Sequence, residues 1–107
     1  MGFDKIKSGI KSMSPDITRI DNESYFEVVV KKESLAGVEK LLEEVIGKAV
    51  WPSKAKLSKE IQGITDKFGG LRNGQTLFFS DNGESLLFVM LWPWQDGKHV
   101  TIKCGRQ

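Results

Sequence analysis

The sequence predicts an α+β fold in which an antiparallel sheet of about four strands is packed by two to three amphipathic helices. Three observations support this prediction. Residues 75–104 contain three strand-like segments separated by turn dipeptides, and a β-branched run near 24–31 adds a fourth strand. Apolar residues recur at helical spacing near 3–13, 34–47 and 54–68.

Length and composition are typical of a small globular protein. The 107 residues are enough to bury one core, so 1–107 is expected to form a single domain. Hydrophobic residues make up 39% and charged residues 28%, and the net charge of +2 does not by itself indicate a nucleic-acid partner. The single cysteine, Cys104, excludes an internal disulfide and favours a reducing compartment. Without a signal peptide or a long apolar run, a cytoplasmic location and no membrane contact are expected.

The three C-terminal segments are expected to form a meander. Asn82-Gly83 and Asp96-Gly97 are typical of two-residue type I′ turns, which set the register of the strands they join. The expected cross-strand pairs are Phe79 with Leu86, Leu77 with Phe88, Trp94 with His99, Trp92 with Thr101 and Leu91 with Ile102.

Alternation along these strands predicts two faces. The first face is almost uniformly apolar: Phe78, Leu87, Val89, Leu91, Val100, Ile102 and Cys104. The second face carries Leu77, Phe79, Leu86, Phe88, Met90, Trp92 and Trp94, followed by His99, Thr101 and Lys103. Because 86–92 is an unbroken apolar run, both faces need a cover there. Helices on both faces, a fold-back of the N-terminal segment and a partner chain are the alternatives.

The strand near 24–31 alternates in a way that suggests a half-exposed strand at the sheet edge, where Lys31-Lys32 would discourage pairing with other chains. Residues 17–20 are a candidate for a short preceding strand. The helix at 34–47 is expected to begin at an N-cap, Ser34, and to end at Gly47 in the left-handed conformation.

Charge is unevenly distributed along the chain. Residues 21–47 carry seven acidic and three basic side chains, whereas residues 48–74 carry six basic and two acidic ones. The basic segment 48–72 includes Trp51, and phosphate contacts together with base stacking would suit a weak nucleic-acid-binding domain. The candidate nucleic-acid-binding residues are Lys54, Lys56, Lys59, Lys67 and Arg72. A solvated helix face is the simpler interpretation of the same charges.

The residues offer no catalytic constellation. His99 and Cys104 are five apart on one predicted strand, so they should lie on opposite faces and cannot form a dyad. No phosphate-binding, dinucleotide-binding or zinc-protease motif occurs. One His and one Cys cannot complete a closed zinc site unless two carboxylates are also placed correctly. We therefore expect no enzyme activity, no cofactor and no bound metal.

The Trp92-Pro93-Trp94 tripeptide is the strongest functional signal. Proline interrupts strand pairing, and two indoles project beside His99 at the polar end of the second face. Tryptophan is enriched at protein interfaces, so Trp92, Trp94, His99 and Trp51 are the candidate partner-binding residues. Equally, Trp92 and Trp94 could be core residues at the end of the sheet.

The expected function is therefore a non-catalytic protein-interaction domain with an aromatic contact patch, and a homodimer is left open. Nucleic-acid binding is the first alternative. The second alternative is a small-molecule-binding domain with an aromatic pocket between sheet and helices.

Overall fold

The architecture comes from a computed structural model. It describes residues 2–47, 49, 63, 66, 75–81 and 86–106.

These residues form an α+β fold with two α-helices and a five-stranded antiparallel sheet. In chain order the elements are α1 (Gly2–Lys11), β1 (Ile17–Asp21), β2 (Tyr25–Lys31), a 3-10 turn (Lys32–Ser34), α2 (Leu35–Val45), β3 (Thr76–Asp81), β4 (Leu86–Pro93) and β5 (His99–Arg106). The fold class is confirmed. The sheet has one strand more than the four expected, because the short segment at 17–21 pairs as β1.

The strand order is β1-β2-β5-β4-β3, and every neighbouring pair is antiparallel. The prediction that the strand at 24–31 lies at the sheet edge was wrong, since β2 lies between β1 and β5. Its buried residues Val28, Val29 and Val30 fit an interior strand. The two edge positions belong to β1 and β3.

The register of the β4–β5 hairpin is confirmed, because Trp92 pairs with Thr101 and Leu91 with Ile102. The register of the β3–β4 hairpin was wrong by two residues: Phe79 pairs with Phe88 instead of Leu86. The connection is therefore four residues long, and its predicted turn at Asn82-Gly83 lies outside the described residues. A register shift of two residues keeps every side chain on the same side of the sheet. The predicted assignment of residues to the two faces therefore remains correct.

The β4–β5 loop is not the type I′ turn that Asp96-Gly97 suggested. Gly97 has a φ of +67°, but Asp96 does not adopt a positive φ. The Trp94 N–H donates to the His99 carbonyl over 2.8 Å, and the Gly97 N–H donates to the Trp94 carbonyl over 3.2 Å, which encloses a four-residue loop. The Asp96 carboxylate accepts the backbone N–H groups of Lys98 and His99, so it stabilises this longer turn.

The main core lies on the first face of the sheet, where α1 and α2 pack. It combines the helical side chains Phe3, Ile6, Ile10, Val38 and Leu42 with the strand side chains Phe26, Val28, Val30, Phe78, Val89, Leu91, Val100, Ile102 and Cys104. A second buried cluster lies on the other face. It consists of Leu77, Phe88 and Met90, with Tyr25, Phe79, Leu86 and Trp92 packed partly buried against it.

The N-terminal end of α2 differs from the prediction, whereas its C-terminal end agrees with it. The Ser34 side chain makes no capping hydrogen bond, because the chain enters α2 through the 3-10 turn. Gly47 does take a positive φ of 115°, and its N–H reaches the Leu42 carbonyl over 3.3 Å, as expected for a C-terminal glycine. The helix expected at 54–68 lies outside the described residues except at 63 and 66, which are both helical.

Candidate protein-interaction surface

β1 is one of the two edge strands of the sheet, with β3 at the opposite edge, and the described residues place no further strand beyond β1. All five of its residues are exposed. Ile17 and Ile20 are 46% and 40% exposed, and they are the exposed large hydrophobic side chains of the described chain. An edge strand that displays apolar side chains is an accessible site for another polypeptide.

A bulge brings the two isoleucines to the same side of the sheet. Ile17 pairs with Val29 and Ile20 pairs with Glu27, so the register shifts between these pairs and Arg19 is the extra residue. Val29 and Glu27 are two apart on β2 and therefore share the second face. Without the bulge, the three-residue spacing of the isoleucines would place them on opposite faces.

Trp94 lies close to β1 and is held in place by its neighbours. Its Nε1–H donates to the Thr101 hydroxyl over 2.7 Å, and its ring centroid is 4.9 Å from that of His99. The Arg19 guanidinium carbon lies 5.9 Å from the indole centroid, within the range of a cation–π contact. The indole is partly buried, so its orientation is fixed while part of the ring remains accessible.

His99 joins this region to the start of β1. Its Nδ1 lies 2.7 Å from the Asp96 carboxylate, and its Nε2 lies 3.5 Å from the Asp16 carboxylate. The pKa of Asp96 is lowered chiefly by the hydrogen bond from the Lys98 N–H, and further by the His99 side chain. The two carboxylates and the Trp94 ring hold the His99 imidazole in one orientation. His99 therefore links the β4–β5 loop to the start of β1.

We call Ile17, Arg19, Ile20, Trp94 and His99 the β1 surface.

The far end of β1 carries a separate ionic cluster. Lys7 and Lys11 contact the Asp21 carboxylate at 2.8 and 2.7 Å, and Lys7 also donates to the Asn22 carbonyl. Hydrogen bonds from Lys11 and then Lys7 lower the pKa of Asp21. Both lysines belong to α1, so these contacts tie the end of β1 to that helix.

Trp92 has a different environment from Trp94. It packs against the buried cluster of Leu77, Phe88 and Met90, and the Lys103 ammonium lies 3.5 Å from its ring centroid. Its Nε1 is shielded from solvent, and no acceptor among the described residues lies within hydrogen-bonding distance of it. Burial lowers the pKa of Lys103. Trp92 is therefore mainly a core residue of the second face.

Between Trp92 and β1 lies a polar group centred on Glu27. The Tyr25 hydroxyl donates to Glu27 over 2.6 Å, and Arg19 lies 3.6 Å from the same carboxylate. Burial, followed by the hydrogen bond to Glu27, raises the pKa of the Tyr25 phenol. The Glu27 carboxylate on β2 attracts Arg19, which is the extra residue of the bulge. This contact holds Arg19 beside Trp94.

A shallow groove of about 360 Å³ lies beside His99 and is lined by Lys31, Lys32, Glu33, Gly97, Lys98 and His99. Its lining is charged, whereas the predicted small-molecule pocket was aromatic. Its three lysines lie on or next to β2 and β5, inward from the edge strand.

The predicted partner-binding residues separate into three groups. Trp94 and His99 are together at the β1 surface, whereas Trp92 points into the second-face cluster. Trp51 lies outside the described residues, as do Lys54, Lys56, Lys59, Lys67 and Arg72. Sequence reasoning did not identify Ile17, Arg19 and Ile20 as site residues, because their common face depends on a bulge that has no local sequence signal.

Cys104 belongs to the first-face core, on the opposite side of the sheet from His99. Burial raises the pKa of its thiol to about 12, so the side chain is a neutral, inert thiol at physiological pH. Within the described ranges, no group of three His, Cys, Asp or Glu side chains is arranged to hold a metal ion. Among the described residues, no helix has the length and apolar character needed to cross a membrane.

Comparisons with family models, with curated proteins and with solved structures find no match for this chain.

Proposed function

We propose that this protein is a non-catalytic, cytoplasmic interaction domain that binds another polypeptide at the β1 surface. The observation that carries the proposal is the pair of exposed isoleucines, Ile17 and Ile20, on one face of the edge strand β1. Water-exposed apolar groups on an open edge are a liability for a domain that acts alone, because they invite pairing with other strands. They are useful where such pairing is the function.

Binding would combine two contributions. The open backbone edge of β1 offers hydrogen bonds to an extended segment, which is the mode of β-strand addition. The isoleucines and the accessible part of Trp94 supply the apolar contact. Because Trp94 is already oriented by its bond to Thr101, little side-chain entropy is lost when a partner packs on it.

The test compares the proteins captured by the immobilised domain with those captured by two variants. Ile17→Lys/Ile20→Lys places charge on the β1 surface, and Ala36→Lys, at an exposed position of α2, adds charge elsewhere as the matched control. We expect a partner that binds the wild type and the control but not the double variant. The same set of captured proteins on all three would refute the assignment of function to β1.

A further inference from the structure

We infer that the groove beside His99 binds a small phosphate monoester, with the phosphate group among its three lysines. The groove is lined by residues outside β1, so this is a second binding site beside the one of the proposed function. The shape of the groove, the unbalanced charge of its walls and an adjoining helix terminus all favour such a ligand.

Two antiparallel segments form the backbone frame of the groove. Lys31, the last residue of β2, pairs with His99, the first residue of β5. One residue further along, the Lys32 N–H donates to the Lys98 carbonyl over 2.8 Å. Gly97 adopts a positive φ of 67° and contributes no side chain to the groove. The frame is therefore formed without a ligand, and binding does not require the chain to reorganise.

The charges that line the groove are not balanced. Its lysines, Lys31, Lys32 and Lys98, are all exposed, and none of them forms an ion pair with a described residue. Glu33 is the acidic residue of the lining, so three positive charges meet one negative charge and a net charge of +2 remains. A phosphate monoester carries a charge of about −1.5 to −2 at pH 7, which matches this excess.

Two further carboxylates, those of Asp16 and Asp96, lie near His99 without lining the groove. The His99 ring contacts both, at 3.5 Å for Asp16 and 2.7 Å for Asp96. Asp96 also accepts the backbone N–H groups of Lys98 and His99. Both carboxylates are thus engaged by His99 and the loop, and neither is bonded to a groove lysine.

The groove also adjoins the positive end of a helix. Lys32 and Glu33 belong to the 3-10 turn that leads directly into α2. The first turn of α2 has no acidic side chain, and the Ser34 side chain makes no capping hydrogen bond. A helix N-terminus carries a partial positive charge that favours nearby anions. Because no side chain of α2 itself offsets this charge, it adds to the attraction of the lysines.

The size and chemistry of the groove indicate the class of ligand. Its volume of about 360 Å³ is at the lower end of the usual range for small-molecule sites and is more than a bare phosphate ion fills. Lysine ammonium groups bind phosphate oxygens as point charges, and the four-carbon stems of lysines provide apolar surface. A phosphate group attached to a small organic body uses both parts of these side chains.

Backbone-amide NMR titration with phenyl phosphate tests the inference. Phenyl sulfate, which has a similar shape but a single negative charge, is the reference ligand. Phenyl phosphate should shift the amide signals of residues 31–33 and 97–99 saturably, with a Kd on the order of 1 mM because the groove is shallow. Phenyl sulfate should bind more weakly. Added salt should weaken the binding of phenyl phosphate, since the lysines are exposed.

Variants of the groove test its charges. Lys32→Gln/Lys98→Gln should weaken the binding of phenyl phosphate about tenfold. Lys5→Gln/Lys40→Gln removes the same charge from exposed positions of α1 and α2, so this control should bind like the wild type. Glu33→Gln removes the acidic lining residue and should tighten binding roughly two- to fivefold. Every substituted side chain is exposed, and circular dichroism with thermal unfolding establishes that each variant is folded.

Three results would overturn the inference: phenyl phosphate that leaves the signals of 31–33 and 97–99 unchanged, equal binding of the phosphate and the sulfate, or equal weakening in the groove variant and its control. A short single-stranded DNA that shifts these signals where phenyl phosphate does not would also overturn it, because the groove would then bind a phosphodiester backbone.

Discussion

The Trp94 indole donates its Nε1–H to the Thr101 hydroxyl over 2.7 Å, and this bond joins the residue that follows β4 to β5. It directs the ring across the second face towards β1, where Arg19 meets it. The neighbouring Trp92 finds no such acceptor in the part of the chain that the structure describes, and it packs into the buried cluster of that face. Two tryptophans separated by one proline therefore have different roles, one at the surface and one in the core.

Substitution should separate these roles. Trp92→Ala is expected to destabilise the fold by about 3 kcal/mol, since it leaves a cavity against Leu77, Phe88 and Met90. Trp94→Ala should cost about 1–2 kcal/mol, because it removes one hydrogen bond and a partly buried ring. Urea denaturation measures both. Losses well above 3 kcal/mol for both variants would show that Trp94 is also a core residue.

Thr101→Val provides a finer test of Trp94. It keeps the volume of the buried Thr101 side chain but removes the acceptor, so the indole loses its fixed orientation at a cost of about 1 kcal/mol in stability. Binding of a partner at the β1 surface should weaken even though the Trp94 ring remains. Unchanged binding together with an unchanged indole N–H chemical shift would contradict a positioning role for Thr101.

Gly105 is required by packing. A Cβ built at this position would lie 2.5 Å from the Phe88 ring, which is buried in the second-face cluster and cannot move away freely. Gly105→Ala should destabilise the fold by about 1–3 kcal/mol in urea denaturation. Gly63→Ala is the matched control. Gly63 is helical, and a Cβ at this position would have no atom of the described residues within 4 Å, so the substitution should be neutral or stabilising.

Asp21 should titrate below its ordinary value of 3.8, because Lys11 and Lys7 favour the carboxylate. The unfolded chain then binds the proton more readily than the folded one, so this contribution to stability is present above pH 3.8 and is lost as the pH falls through the folded pKa. NMR titration of the carboxyl carbon measures the pKa directly. Lys11→Gln should raise it, whereas the pKa of Asp96, which is lowered by a different set of groups, should not change.

Cys104 should resist thiol reagents while the protein is folded. Burial raises its pKa to about 12, so the native thiolate is scarce at pH 8, whereas the unfolded chain exposes an ordinary thiol. Stability from this group is full below the unfolded value of 9.0 and declines as the pH rises towards 12. Rapid modification under native conditions at pH 8, at a rate above that of unfolding, would show that the thiol is accessible.

Much of this fold follows from local patterns in the sequence. Helical spacing placed Phe3, Ile6 and Ile10 on one stripe of α1, and alternation assigned the C-terminal strands to two faces. Both results depend on the 3.6- and 2-residue periods of the backbone, which an error of two residues in one hairpin does not disturb. The same patterns identified Trp94 and His99 as neighbours, because the β4–β5 register was predicted correctly.

The tertiary structure decided what no local pattern encodes. Strand order placed β2 inside the sheet and β1 at its edge, since pairing between β2 and β5 joins segments about seventy residues apart. A bulge at Arg19 turned Ile17 and Ile20 to one face, and the Thr101 hydroxyl turned Trp94 towards them. These contacts form only when distant segments meet. The elements of the protein could therefore be predicted from its sequence, whereas the surface they build could not.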